Sequence, residues 1–243
     1  MDFVALLNSV DAAVWGPPMI VLLLGCHVYT TIRTKCIQRK LPLALRLSIT
    51  KDEGAQGDVS NFGAMATSLA STLGTGSIVG VATAILSGGP GAVLWMWLTG
   101  ILGMATKYTE VFAAMKYRVK DARGHMAGGA MHVWEQRYKH PDGTVPWWAK
   151  LAAIWFAIMA CFSIFGIGCA VQTSAITSVV QANFGVEPWI VAAIVCGSAL
   201  LIIVGGLKTV SGICEKLVPL MGGAYILGCL YILVCNHAYL WDS

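Results

Sequence analysis

The chain has 243 residues, of which 57% are apolar and 12% charged, and its mean hydropathy is +0.71, whereas soluble domains carry charge on roughly a quarter of their positions. This composition excludes a disordered chain, a nucleic-acid-binding domain and a small secreted disulfide scaffold, each of which needs a polar, basic or short cysteine-framed sequence. Val59 to Thr106 and Leu151 to Val186 contain no charged residue at all, and about 20 apolar residues suffice to cross a bilayer, so these runs are membrane-spanning.

With Lys, Arg, Asp and Glu as punctuation, six helices are predicted. They lie at Gly16 to Ile32, Phe62 to Leu86, Gly91 to Met115, Leu151 to Gln181, Trp189 to Leu207 and Leu217 to His237. The first is a retained helix rather than a signal peptide, because no Lys or Arg precedes it and Asp2 and Asp11 do. Pro17 and Pro18 suit its first turn, where a missing N–H costs little.

Basic residues orient the spans. Arg33 to Lys51 holds six Lys or Arg, Lys107 to Lys150 holds eight, and Lys208 with Lys216 completes the total of 16. The N-terminus, the Gly88-Gly89-Pro90 turn, the loop around Glu187 and the stretch after Leu217 hold none. Alternate loops therefore separate, which predicts an outside N-terminus. The net charge of +4 is a topology signal with some attraction for anionic lipid heads, not a nucleic-acid footprint. Trp147 and Trp148, Trp189, and Trp95 and Trp97 stand near predicted span ends, where amphipathic rings favour the headgroup boundary, although lipid-facing packing accounts for each singly.

The eight cysteines lie in or beside apolar helices without a C-x-x-C spacing, and His125, His132 and His140 show no helical ligand spacing. Nothing in the chain places a nucleophile, a base and an orienting group in a recognisable arrangement, so an enzyme is not expected.

The second span carries glycines and hydroxyls at its midpoint: Thr67, Ser68, Ser71, Thr72, Gly74, Thr75, Gly76 and Ser77. Each Gly costs about 1 kcal/mol in a helix interior relative to Ala, so Gly74 and Gly76 mark its weakest point. Non-helical backbone at membrane depth is tolerated where it is buried in protein or lines a wet cavity, and broken helices point to a transporter's site. A break at 74–77 would aim the free N–H groups and positive dipole end of the second half-helix at an anionic group. The orphan carbonyls before it, with the hydroxyls of Thr72 and Ser77, are hard oxygen ligands for an alkali cation. Close helix packing is the competing reading, since Gly76 and Gly80 form a G-x-x-x-G.

A second polar cluster runs through Gly166, Gly168, Cys169, Gln172, Thr173 and Ser174. The Gln172 amide needs a partner inside the protein, either a substrate or a neighbouring helix. Glu110, one turn after Lys107, reads as a snorkelling local ion pair rather than a proton relay.

Gly74 to Ile85, Gly88-Gly89-Pro90-Gly91-Ala92, Trp95-Met96-Trp97 and Gly103 to Tyr108 with Glu110 resemble the signature of the sodium:alanine (alanine or glycine:cation) symporter family. The likeness extends to Trp15 to Pro18, Gly128 to Met131, Gly166 to Gly168 with Gln172, and Glu215 to Pro219. It implies an all-α polytopic transmembrane helix bundle of the amino acid, polyamine and cation transporter superfamily: an extra N-terminal helix, then two inverted five-helix repeats. It also implies a small neutral amino acid as substrate, sodium as the coupling ion, no other cofactor, and a multi-pass place in the bacterial inner membrane. Carried over by position, Thr75 and Gly76 would offer N–H groups to the substrate carboxylate and Gln172 would face the substrate. Ala70 and Leu73, through their carbonyls, with Thr72 and Ser77 would lie near sodium. The family usually has Asn at the positions of Ser77 and Cys169, and Pro at that of Ala130. Ser77 still offers one oxygen, so sodium binding would persist but weaken, whereas Cys169 offers none comparable.

Six spans amount to the extra helix with its basic loop, residues 1–57, and one repeat, residues 58–243. The expectation is thus the first half of a five-plus-five fold, inactive alone and lacking the second repeat that completes both binding sites. The alternatives are a non-transporting membrane fragment, or a pairing partner for a separately encoded half. A passive pore is disfavoured by the lack of a charged ring or carbonyl-filter motif.

Overall fold

Long apolar runs interrupted only by Gly, Pro and charge clusters give a chain that is helical almost throughout, and its computed structural model describes residues 3–50, 59–121 and 124–237. In chain order the helices are α1 (Phe3–Val14), α2 (Pro17–Arg33), α3 (Leu41–Ile49), α4 (Asn61–Thr72), α5 (Thr75–Gly88) and α6 (Gly91–Lys116). A two-stranded hairpin follows, β1 (Val119–Lys120) antiparallel to β2 (Met126–Ala127). Then come α7 (Ala130–Arg137), α8 (Trp147–Ser163), a π-helical stretch (Ile164–Val171), α9 (Gln172–Phe184), α10 (Pro188–Val204) and α11 (Gly206–Cys235).

Each predicted span falls on helix. By length and composition, three helices among the described residues can cross a membrane: Val4–Arg33, Trp147–Phe184 and Gly206–Cys235. A fourth is added if the bent pair at Asn61–Thr72 and Gly76–Gly88 counts as one span, and Pro188–Val204 is a shorter apolar helix. Three boundaries differ from expectation. The chain before Gly16 is already helical as α1, because its residues are mostly apolar helix formers and Asp11 is its single described charge. Leu41–Ile49 in the basic loop is also helical. The segment around Lys208 and Lys216, predicted as a loop, belongs to α11. Charges punctuate hydropathy, yet Lys and Glu are good helix formers, and the turn falls earlier, at Gly206 with its left-handed φ of +74°. The boundary at 57/58 lies outside the described residues.

The chain forms two compact units, one of residues 1–44 with 81–162 and one of 45–80 with 163–243. In the first, α2 lies along α6. Thr106 Oγ1 is 2.8 Å from both His27 Nδ1 and Thr30 Oγ1, and Gln38 Nε2 donates to the Ile101 carbonyl at 3.1 Å. At the start of α8, Trp148 meets Tyr138 edge-on at 4.6 Å between ring centroids. In the second unit, α4 packs on α11, and α10 lies against both α9 and α11.

Burial is inverted relative to a soluble core. The buried apolar residues among those described are Ala66, Ala105, Ala149, Ala153, Val191 and Val218, while Leu86, Trp147, Phe165 and Leu201 are more than three-quarters exposed. Lipid tails are as apolar as leucine, so membrane helices gain little by hiding large side chains and instead bring small residues together where backbones approach.

Candidate substrate and cation site at the broken helix

The span is interrupted, but earlier than the predicted 74–77: only Leu73 and Gly74 leave the helix, and Thr75 to Ser77, expected to be unwound, already form the first turn of α5, because the Gly74 carbonyl accepts from Ser77 and Ile78. The axes of α4 and α5 differ by 43°, and the turn between them is short. Leu73 closes α4 by donating its N–H to the Leu69 carbonyl at 2.7 Å, and the Gly74 carbonyl then receives the N–H groups of Ser77 and Ile78 at 3.1 and 3.3 Å. Gly74 therefore acts as the cap of the second half-helix. The last carbonyls of α4 lack helical donors, as at any helix end.

Side chains enter the gap so made. Ser77 Oγ donates to the Thr72 carbonyl at 2.7 Å, reaching back across the break. Gln172 accepts the Gly76 N–H on its Oε1 at 3.3 Å. Its amide lies so close to the chain that a Cβ on Gly74 would stand 2.7 Å from Gln172 Nε2, and one on Gly76 3.3 Å from the same atom. The glycines are thus explained by the approach of Gln172, in addition to the weakness they give the helix. Electrostatically, an amide oxygen with partial negative charge sits at the positive end of α5, where the dipole favours it.

Of the predicted site residues, the structure brings Thr72, Gly76, Ser77 and Gln172 together. Thr75 opens α5, with its side chain outside the described set. Ala70 and Leu73 lie in the last turn of α4 and at its cap. Thr72 Oγ1 donates to the Ser68 carbonyl at 2.9 Å, so both predicted cation-binding hydroxyls are directed at backbone carbonyls. Every donor in the set is a hydroxyl or carbonyl oxygen, which fits a hard monovalent cation rather than a transition metal.

Two features were not foreseen. Gln172 directly follows the π-helical stretch Ile164–Val171, and π turns recur at functional sites. The signal was Gly166 and Gly168 just before Gln172, the one large uncharged polar side chain away from the ends of that span. The other is a contact at the far end of α4, where the N-cap Ser60 donates to Glu215 Oε1 of α11 at 2.5 Å. Its trace was an acid just ahead of the predicted apolar span Leu217 to His237. Lys107 and Glu110 form the expected local ion pair at 3.1 Å, both largely exposed.

Apolar helices that bury only small residues among those described, with one span broken beside paired glycines and approached by polar groups, are the features of a multi-pass membrane protein with a broken helix. Its sequence matches the pattern of the sodium:alanine symporter family over residues 1–242, and the chain belongs to that family of transporters, which are not enzymes. It is 45% identical over 243 residues to the sodium/alanine symporter AgcS of Methanococcus maripaludis, covering 99% of this chain and 52% of that protein. It is 36% identical to the putative sodium/proton-dependent alanine carrier protein YrbD of Bacillus subtilis, covering 97% of this chain and 46% of the other. With the probable sodium/glutamine symporter GlnT of Bacillus subtilis it shares 30% identity, over 91% of this chain and 45% of the other. The chain thus spans about half the length of the curated relatives it matches.

Proposed function

We propose that this chain supplies the broken-helix half of a symporter that couples sodium entry to uptake of a small neutral amino acid, alanine or glycine, across the cytoplasmic membrane. The observation that carries the reading is the paired occupancy of the break: Gln172 Oε1 on the Gly76 N–H, and Ser77 Oγ on the Thr72 carbonyl. Each protein group stands where a ligand group of like polarity would bind. The substrate carboxylate takes the N–H groups of Thr75 and Gly76, with Gln172 turning to contact the substrate. Sodium takes the Thr72 hydroxyl, the Ser77 hydroxyl and the carbonyls of Ala70 and Leu73. Substrate and cation then sit on opposite sides of one break, so binding of either lowers the cost of opening it for the other, which is the origin of coupling.

In this reading residues 1–57 form the extra helix and its basic loop, 58–243 form the first repeat, and the N-terminus faces outside. A second inverted repeat supplies the opposite wall, since such carriers work by moving one set of helices against the other around a shared site. The test is labelled alanine uptake by the full transporter in proteoliposomes, with and without an inward sodium gradient. Uptake driven by the gradient is expected, and uptake indifferent to sodium overturns the reading.

A further inference from the structure

The loop after α6 folds back onto that helix. Its two strands pair with Val119 opposite Ala127 and Lys120 opposite Met126. The chain leaving β2 runs so close to α6 that a Cβ on Gly128 would stand 3.2 Å from the Ala114 carbonyl oxygen and 3.6 Å from Arg118 Cβ. Between hairpin and helix lies an open cleft of about 270 Å³, walled by Val111, Ala114 and Met115 of α6 and Met126 of β2, with Glu110 and Arg118 also in its lining. Opposed residues of an antiparallel pair project from the same face, so Lys120 stands on the face of the hairpin that carries Met126.

Charge in and beside the cleft is one-sided. Both carboxylate oxygens of Glu110 are taken by Lys107, at 3.2 and 3.1 Å. Lys116, in the last turn of α6, answers the negative end of that helix and lies over the Tyr117 ring at 5.5 Å. Arg118 and Lys120 have no such use: both are exposed, and neither forms an ion pair among the described residues. The planar fork of a guanidinium matches phosphate oxygens two at a time. Free phosphate would leave the apolar walls at Val111, Met115 and Met126 without a partner, whereas a phospholipid uses both parts of the cleft. Depth agrees with this occupant. Trp95 and Trp97, near the start of α6, are 61% and 69% exposed, as suits rings at a headgroup boundary. Met115 lies roughly 27 Å farther along the helix than Trp97, close to the roughly 30 Å of a bilayer's hydrocarbon core, which sets the cleft at the opposite headgroup level.

We infer that the cleft between the end of α6 and the β1–β2 hairpin is a binding site for an anionic phospholipid. Arg118 and Lys120 take its phosphate, and the start of an acyl chain lies along Val111, Met115 and Met126. The site requires only that the chain sits in a membrane and is independent of the transport reading.

The test is native mass spectrometry of the full transporter in detergent, titrated with phosphatidylglycerol and, separately, with phosphatidylcholine of the same acyl chains. Phosphatidylglycerol should bind at least about fivefold more tightly, because the choline ammonium is repelled by the two cations. Arg118→Gln combined with Lys120→Gln should weaken phosphatidylglycerol binding by about thirtyfold, the effect of two basic residues close to an anionic lipid surface. Removing two charges elsewhere in the same loop, Lys139→Gln with Lys150→Gln, should change it by less than about twofold, since distant exposed charges are screened. Met126→Ser leaves both cations in place and should weaken binding by about fivefold through the apolar wall alone. Equal affinity for the two lipids in the wild type overturns the inference, and that comparison needs no variant to fold. Equal losses in the two double variants overturn it as well, since they show a general charge effect. Displacement of bound phosphatidylglycerol by an equal concentration of inorganic phosphate overturns the assignment to a lipid.

Discussion

Hydroxyl and amide side chains are spent differently in the two compact units. Along α2 and α6 they join one intact helix to another, Thr106 meeting His27 and Thr30, and just beyond α2 Gln38 reaches the Ile101 carbonyl of α6. Around the break between α4 and α5 they bond to backbone that the interruption has released, Ser77 to the Thr72 carbonyl and Gln172 to the Gly76 N–H. The first arrangement fixes a pair of helices. The second fills vacancies in a backbone that any better ligand can claim, because exchanging one hydrogen-bond partner for another costs little provided none is left unmade. Placement relative to an intact helix, rather than residue type, separates scaffold from the proposed site.

The strongest way to break this contrast is to close the gap sterically. Gly74→Val puts branched carbons where the Gln172 amide stands 2.7 Å from a bare Cβ position. Sodium-driven alanine uptake is expected to fall by about a hundredfold or more, while membrane abundance stays within about twofold, since destabilisation by overpacking is typically only 1–3 kcal/mol. Gln172→Glu comes next. Its carboxylate competes for the N–H groups at the positive end of α5, where an anion is favoured, so the alanine concentration for half-maximal uptake should rise by about thirtyfold. Gln172→Ala leaves those groups to substrate or water and should cost about tenfold, the range for one lost hydrogen bond. If Glu and Ala variants behave alike, Gln172 does not stand in for a substrate carboxylate.

The break was legible because glycine and hydroxyl residues at mid-span have no use facing lipid, and Gln172 because a large amide in an apolar helix must find a partner. Charge placement located the helices but misjudged three of their ends. It treated Lys208 and Lys216 as loop residues when Gly206 makes the turn, and it passed over α1 and α3, whose residues are helical without being long enough spans in themselves. The Ser60 to Glu215 contact joins residues 155 apart in sequence. No local pattern announces such a pairing, although Ser60 could be read as an N-cap and Glu215 as an acid in need of a partner. The self-filling of the break by Ser77 likewise depends on where one hydroxyl turns, which spacing does not determine.

Ser77 sharpens the contrast at smaller amplitude. Ser77→Ala removes the hydroxyl that spans the break, and with it one oxygen of the proposed cation set, so the sodium requirement should rise by about threefold to tenfold with little change in the alanine requirement. Ser77→Asn restores the residue usual in the family and offers a stronger carbonyl ligand, so it should lower the sodium requirement below that of the wild type. Parallel changes in the sodium and alanine requirements would instead place Ser77 in the general stability of the break.

The smallest transport effect belongs to the scaffold. Thr106→Val preserves shape but removes the shared partner of His27 and Thr30, which lie 2.8 Å away on α2. Hydrogen bonds between membrane helices are worth about 0.6 kcal/mol on average and rarely more than about 1.7 kcal/mol, and Thr30 keeps its bonds to the Cys26 and His27 carbonyls in any case. The variant should therefore unfold at a temperature lower by a few degrees, about the shift that 1 kcal/mol gives in a chain of this size, while both half-maximal concentrations stay within about twofold of wild type, because the bonds it loses hold intact helices together and no ligand has to replace them. A change in sodium requirement as large as that of Ser77→Ala would erase the distinction between the two regions, since it would mean that bonds between intact helices also govern the occupancy of the break.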